Sequence, residues 1–129
     1  MILLDTHVLI WARDDSPQLS RAAASAIRRA RRADGFAISA ISLWELALLL
    51  VGKRIYVRGT TDESIRLLTH GVNIRPLTPE IAALATTFPV DFPRDPADRL
   101  IGATALAEGM TLITRDESMR RSPLLKTLW

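Results

Sequence analysis

Apolar positions in this chain come in short runs of three to four residues set between longer amphipathic stretches. Ile2-Leu3-Leu4 reads as a buried strand that ends at Asp5, and Thr6 with His7-Val8-Leu9-Ile10-Trp11 starts a helix at once. Asp14-Asp15-Ser16-Pro17 breaks that helix, and Ser20 caps a second one through Ala22 to Arg32. Asp34-Gly35 turns the chain into a second strand, Phe36 to Ser39. A helix with a strongly apolar run, Leu46 to Val51, follows from Ser42 and stops at Gly52.

The second half repeats the alternation. Lys53 to Gly59 is an irregular basic connection, and Thr61 to His70 predicts an amphipathic helix with Ile65, Leu67 and Leu68 inward. Val72-Asn73-Ile74 is a third strand. Thr78-Pro79 starts a helix bearing Ile81, Leu84 and Ala85, which fails by Pro89. Phe88 to Arg94 reads as an exposed, proline-rich loop. Asp95 caps the next helix, Pro96 is its first residue, and Gly109 ends it; Gly102, Ala103 and Ala105 allow close packing against a sheet. Thr111 to Thr114 is a fourth strand, Ser118 to Arg121 a short helical turn, and Leu124 to Leu128 a final edge strand.

Strands alternating with helices across short connections predict a mostly parallel sheet of four to five strands covered on both faces, a three-layer α/β/α fold. With 129 residues, no internal repeat and no linker, one domain over 1-129 is expected. No apolar run approaches the roughly 20 residues that span a bilayer, and the N-terminus has no basic leader, so a cytoplasmic protein is expected.

Composition narrows the chemistry. With no cysteine there are no disulfides, thiolate zinc sites or cysteine nucleophiles, and two histidines, His7 and His70, are too few for a histidine-rich metal site. The net charge is +3, and all but two of the 17 basic residues are arginine. Arginine presents a planar fork suited to phosphate, although charge alone does not choose a polyanion as partner. The helix after Ser20 holds Arg21, Arg28, Arg29, Arg31 and Arg32 with no acid, which a solvated face also explains.

Four acids share one kind of position. In an open parallel sheet the carboxyl ends of strands and the starts of the following helices lie on one edge, where ligands bind. Asp5 and Asp116 follow strands, while Glu45 and Asp98 fall in first helical turns after a strand or loop. Each has an innocent reading: Asp5 as a cap, Glu45 as partner of Ser42 in a capping box, Asp98 as a carboxylate favoured by the helix dipole. Together they would repel one another unless a cation sat between them. Oxygen donors alone suit Mg²⁺ or Mn²⁺. Thr6 and Thr114 flank the acids, and Arg94, Arg99 and Arg115 could reach phosphates or simply offset charge.

The segments MILLDTHVLIW, ISLWELALLL, RDPADRLIGATALA and TLITRDE, in that order, resemble the PIN-domain nucleases and specifically the VapC-type toxins of bacterial toxin–antitoxin pairs. The resemblance covers essentially the whole chain. It implies a PIN-like fold, Asp5, Glu45, Asp98 and Asp116 as catalytic and metal-binding residues, and Mg²⁺- or Mn²⁺-dependent RNA cleavage. It also implies a homodimer and a cognate antitoxin, for which the apolar and arginine-bearing face of residues 20 to 58 is the candidate surface. Many relatives have histidine before the RDP run where this chain has Pro93, and Asp95 stands close enough to act as a substitute ligand. Two other classes fit the acids less well. A Mg²⁺-dependent phosphohydrolase or phosphotransfer domain usually has a second acid two residues after the first, where this chain has His7. A non-catalytic RNA- or protein-binding module gives the four acids no task.

Overall fold

The computed structural model describes residues 1–129. Five strands, β1 (Ile2–Leu4), β2 (Phe36–Ser39), β3 (Asn73–Arg75), β4 (Thr111–Ile113) and β5 (Thr127–Leu128), form one sheet in the order β3-β2-β1-β4-β5. Every neighbouring pair is parallel. The helices are α1 (Thr6–Arg13), α2 (Arg21–Arg32), α3 (Ile41–Val51), α4 (Thr61–Leu68), α5 (Pro79–Ala85), α6 (Pro96–Glu108) and α7 (Glu117–Arg120).

Strand side chains alternate between two cores because successive Cβ atoms point to opposite sheet faces. Leu3, Ala37 and Leu112 pack on one side with Ile81, Ile101 and Met119. Leu4, Phe36, Ile38 and Ile113 pack on the other with Val8, Leu9, Ile27 and Leu46 from α1, α2 and α3. The expected three-layer α/β/α architecture is therefore present. The sheet winds from β1 outward through β2 and β3 on one side and through β4 and β5 on the other. Its order reverses between β1 and β4, the switch point beside which a crevice opens at the carboxyl edge.

Most caps fall where expected. Ser20, Thr78, Asp95 and Asp116 each accept a backbone N–H of the helix they precede, and Gly109 closes α6 with φ 64°. Three expectations change, those for α3, for α4 and for the segment before α6. The capping box of Ser42 and Glu45 does not form: α3 starts two residues earlier than that box requires, its cap position is Ala40, and Glu45 lies in the second turn. A capping box is present instead at Thr60 and Glu63, before α4. On α4 the buried residue is Ser64, whose hydroxyl donates to Val57 O and Arg58 O, and Leu67 is 60% exposed.

The segment before α6 is an anchored loop. Phe88 and Phe92 are buried and stack with ring centroids 4.3 Å apart. They lie over Gly102, where an added Cβ would come within 3.0 Å of the Phe92 ring and 3.4 Å of the Phe88 ring. The small residue on α6 thus admits two aromatic rings from a loop, while Ala103 and Ala105 join the core beneath the sheet. Arg99 ties the same loop down by donating to Phe88 O and Pro89 O.

Candidate active site

The register of β1 on β4 sets the first two acids. Leu4 pairs with Ile113, and Asp5 N continues the ladder by donating to Ile113 O, so Asp5 stands level with Thr114. Thr114 Oγ1 donates to Asp5 Oδ2 at 2.8 Å, and Thr6 N donates to Asp5 Oδ1 at 2.7 Å. Both oxygens of Asp5 are held, which fixes its carboxylate at the strand end. Asp116 N in turn donates to Thr114 Oγ1, and Asp116 Oδ1 accepts from Met119 N as the cap of α7. One hydroxyl thus joins the turns after β1 and β4.

Glu45 reaches the site from α3. Its Oε1 lies 2.6 Å from Thr6 Oγ1, which is also 2.8 Å from Ser42 Oγ. A hydroxyl has one proton, and the carboxylate can only accept, so Thr6 donates to Glu45 and receives the Ser42 proton. Ser42 and Thr6 are fully buried, and this chain of three groups points Glu45 into the cleft. The spacing of three residues that suggests a capping box is also the spacing that puts Ser42 and Glu45 on one helix face.

Asp95 and Asp98 come from the start of α6. Asp95 Oδ1 caps the helix through Ala97 N, and Asp98 sits in its first turn. All five acids, Asp5, Glu45, Asp95, Asp98 and Asp116, line one cleft of about 450 Å³. His7, Val8, Trp11 and Arg115 complete its wall. Of the three arginines considered above, Arg115 alone lines the cleft, since Arg99 is spent on loop carbonyls. His7 and Trp11 went unnoticed in the sequence as site residues; their spacing of four on α1, starting two residues after Asp5, is the signal that places them beside it.

The electrostatics record the crowding. Burial, then the charges of Asp5, Asp95, Glu45 and Asp116, push the Asp98 carboxyl up to about 7. Burial also raises Asp5 and Glu45, against the opposing hydrogen bonds from Thr114 and Thr6 respectively. A cluster whose members resist ionising together favours a cation among them. The donors are carboxylate oxygens, suited to a hard divalent ion. No three acid or imidazole side chains close in on a common point tightly enough to cage an ion by themselves. An open set of this kind fits Mg²⁺, which keeps several of its waters and takes only one or two carboxylates directly.

A parallel sheet in the order β3-β2-β1-β4-β5, with carboxylates gathered at its switch point, defines an α/β domain with an acidic cleft at the carboxyl edge. The chain belongs to the PIN domain family, whose model matches residues 2–123. It is 41% identical over 130 residues to Ribonuclease VapC22 of Mycobacterium tuberculosis, covering 99% of this chain and 98% of that protein. Two solved structures share the fold. VapBC2 from Rickettsia felis, bound to a DNA fragment from its promoter, superposes with a TM-score of 0.74 at 19% identity, over 99% of this chain and 98% of the other. A toxin–antitoxin complex from Klebsiella pneumoniae gives 0.68 at 21% identity, over 100% and 97%. No helix is long and apolar enough to cross a membrane.

Proposed function

We propose that this chain is a divalent-metal-dependent endoribonuclease, a single-domain toxin that acts in the cytoplasm and is silenced by a cognate antitoxin. The observation that carries the reading is the meeting of Asp5, Glu45, Asp98 and Asp116 in one cleft, with the Asp98 carboxyl raised to about 7. The likeness to Ribonuclease VapC22 supports the substrate class.

In this reading Asp5, Glu45, Asp98 and Asp116 would hold Mg²⁺ or Mn²⁺, one or two of them directly and the others through its waters, and Asp95 supports them. Such an ion, when bound there, would supply Lewis-acid chemistry to water and to a phosphodiester. The chain's own residues do the rest. Thr114 and Thr6 fix Asp5 and Glu45 so that neither carboxylate must be ordered when the ion arrives, which preserves the geometry on which catalysis depends. Arg115, at the rim, meets the incoming backbone phosphate. Neither histidine is required as a base.

The partner surface we favour is the outer side of α3 with the segment after it, inside residues 20 to 58. Trp44, Leu48, Val51 and Tyr56 there are 51% to 82% exposed. An antitoxin held on that side can reach the cleft with an arginine, and two toxin copies pair elsewhere as a homodimer. Co-expression with the protein encoded beside this chain tests it: a complex that leaves the cleft open to RNA removes the proposal.

Incubating the purified chain with total RNA and Mn²⁺ tests the activity. Cleavage that stops with EDTA and in Asp98→Asn is expected; cleavage indifferent to both overturns the reading.

A further inference from the structure

Aromatic residues make up only 5% of the chain, yet three ring side chains meet beside the acids. His7 and Trp11, one helical turn apart on α1, both line the acidic cleft, their rings 6.0 Å apart and tilted by 45°. Trp129 meets Trp11 at 5.9 Å from outside the cleft wall. The guanidinium of Arg115 lies 5.9 Å from the Trp11 ring centroid, within cation–π range. Core packing accounts for part of Trp11, which rests against the cluster of Val8, Leu9 and Ala12. It does not account for a partly buried indole and an exposed imidazole lining a cleft of carboxylates, with a cation above the indole.

We propose that Trp11, with His7 beside it, is a stacking wall that takes the base of an unpaired ribonucleotide whose backbone phosphate Arg115 meets. The proposal rests on the ribonuclease reading and deepens it, because it assigns the residues that position a base beside the acidic cleft. A base still paired in a duplex keeps its faces against its neighbours and has none to offer Trp11. An unpaired base can splay out, lie against the indole, and leave its backbone phosphate to Arg115. Every base has such a face, so the wall selects for strandedness more than for sequence. Trp129 packs against Trp11, and a side chain already in contact loses less freedom when the base arrives. Trp11 acts as a positioning residue.

The test compares three fluorescent probes in EDTA, where turnover is stopped: a randomised single-stranded 12-nucleotide RNA, its duplex, and an abasic ribose-phosphate strand of the same length. Wild type should bind the single strand at least about fivefold more tightly than either other probe, the low end of what one aromatic–base stack provides. Trp11→Leu should close that gap, Trp11→Phe should keep most of it, and Leu67→Ala, at an exposed apolar residue on α4 away from the cleft, should leave it unchanged. A gap that survives in Trp11→Leu overturns the proposal, as does equal binding of all three probes, or none, by wild type. RNA cleavage by the same wild-type protein in Mn²⁺ separates the two readings. If cleavage is present while the gap is absent, the stacking wall falls and the nuclease stands. If neither is present, both fall.

Discussion

Thr6 Oγ1 stands 2.6 Å from Glu45 Oε1, so a buried hydroxyl from the start of α1 sets the direction of a carboxylate on α3. The contact spans 39 residues of sequence and couples the turn after β1 to the helix after β2. Valine at position 6 keeps the shape and deletes the hydroxyl. Thr6→Val leaves Glu45 and buried Ser42 without a partner, and should cost about 1–3 kcal/mol of stability in urea unfolding, with reduced RNA cleavage. An unchanged midpoint removes the coupling.

Glu45→Gln tests the charge alone. The amide oxygen can still accept from Thr6, while one negative charge leaves a crowded cluster. Metal-free stability should stay within about 0.5 kcal/mol of wild type or rise, and cleavage should fall at least about 10²-fold. Full cleavage by this variant at saturating Mn²⁺ excludes Glu45 from the site.

Relief of repulsion should be visible without any substrate. Millimolar Mg²⁺ or Mn²⁺ should raise the melting temperature, because the ion binds the folded chain in preference to the unfolded one. Asp5→Asn should melt at or above the wild-type temperature in metal-free buffer, since its oxygen still accepts from Thr6 N and the Thr114 hydroxyl can turn to accept from its amide. A melting curve unmoved by metal, together with a destabilised Asp5→Asn, fits an ordinary lost cap and contradicts the metal reading.

Asp98 gives the pH dependence a sign. Its carboxyl titrates near 3.9 in an unfolded chain and at about 7 in the folded one, so between those values the folded state holds more protons. Stability from this group is complete below about pH 4 and is lost as pH rises through about 7. The raised Asp5 and Glu45 carboxyls act in the same direction. In EDTA, the melting temperature of wild type relative to Asp98→Asn should therefore fall between pH 5 and pH 8. A constant difference contradicts the shift.

The anchored loop before α6 makes a purely structural prediction. Phe92 is 3% exposed and fills the space above Gly102. Phe92→Ala should cost about 3–5 kcal/mol by calorimetry or denaturant. A loss below about 1 kcal/mol would return this segment to the role of a free surface loop.

Much of this was legible because strand and acid are adjacent in sequence. Asp5 and Asp116 each follow a short apolar run, and a parallel sheet necessarily sends such residues to the same edge. Asp98 was readable from its cap and proline. The place of Glu45 in the cleft is legible only in part: three-residue spacing to Ser42 serves a capping box and a shared helix face equally, and only the start of α3 at Ile41 decides between them. Phe88 and Phe92 were misjudged because prolines mark irregular backbone, which is a statement about φ angles and not about burial. Leu67 was misjudged on hydrophobicity alone, since the burial of Ser64 depends on carbonyls seven and six residues upstream. The role of Thr6 was invisible, because its partners lie on another helix.

The bond from Thr114 to Asp5 joins residues 109 positions apart. At a synthesis rate of about 5–20 residues per second, Asp5 has existed for about 5 to 20 seconds before its partner is made. The acidic edge cannot be assembled on a half-made chain, so a cell translating this protein carries an inert polypeptide until the fourth strand has been added.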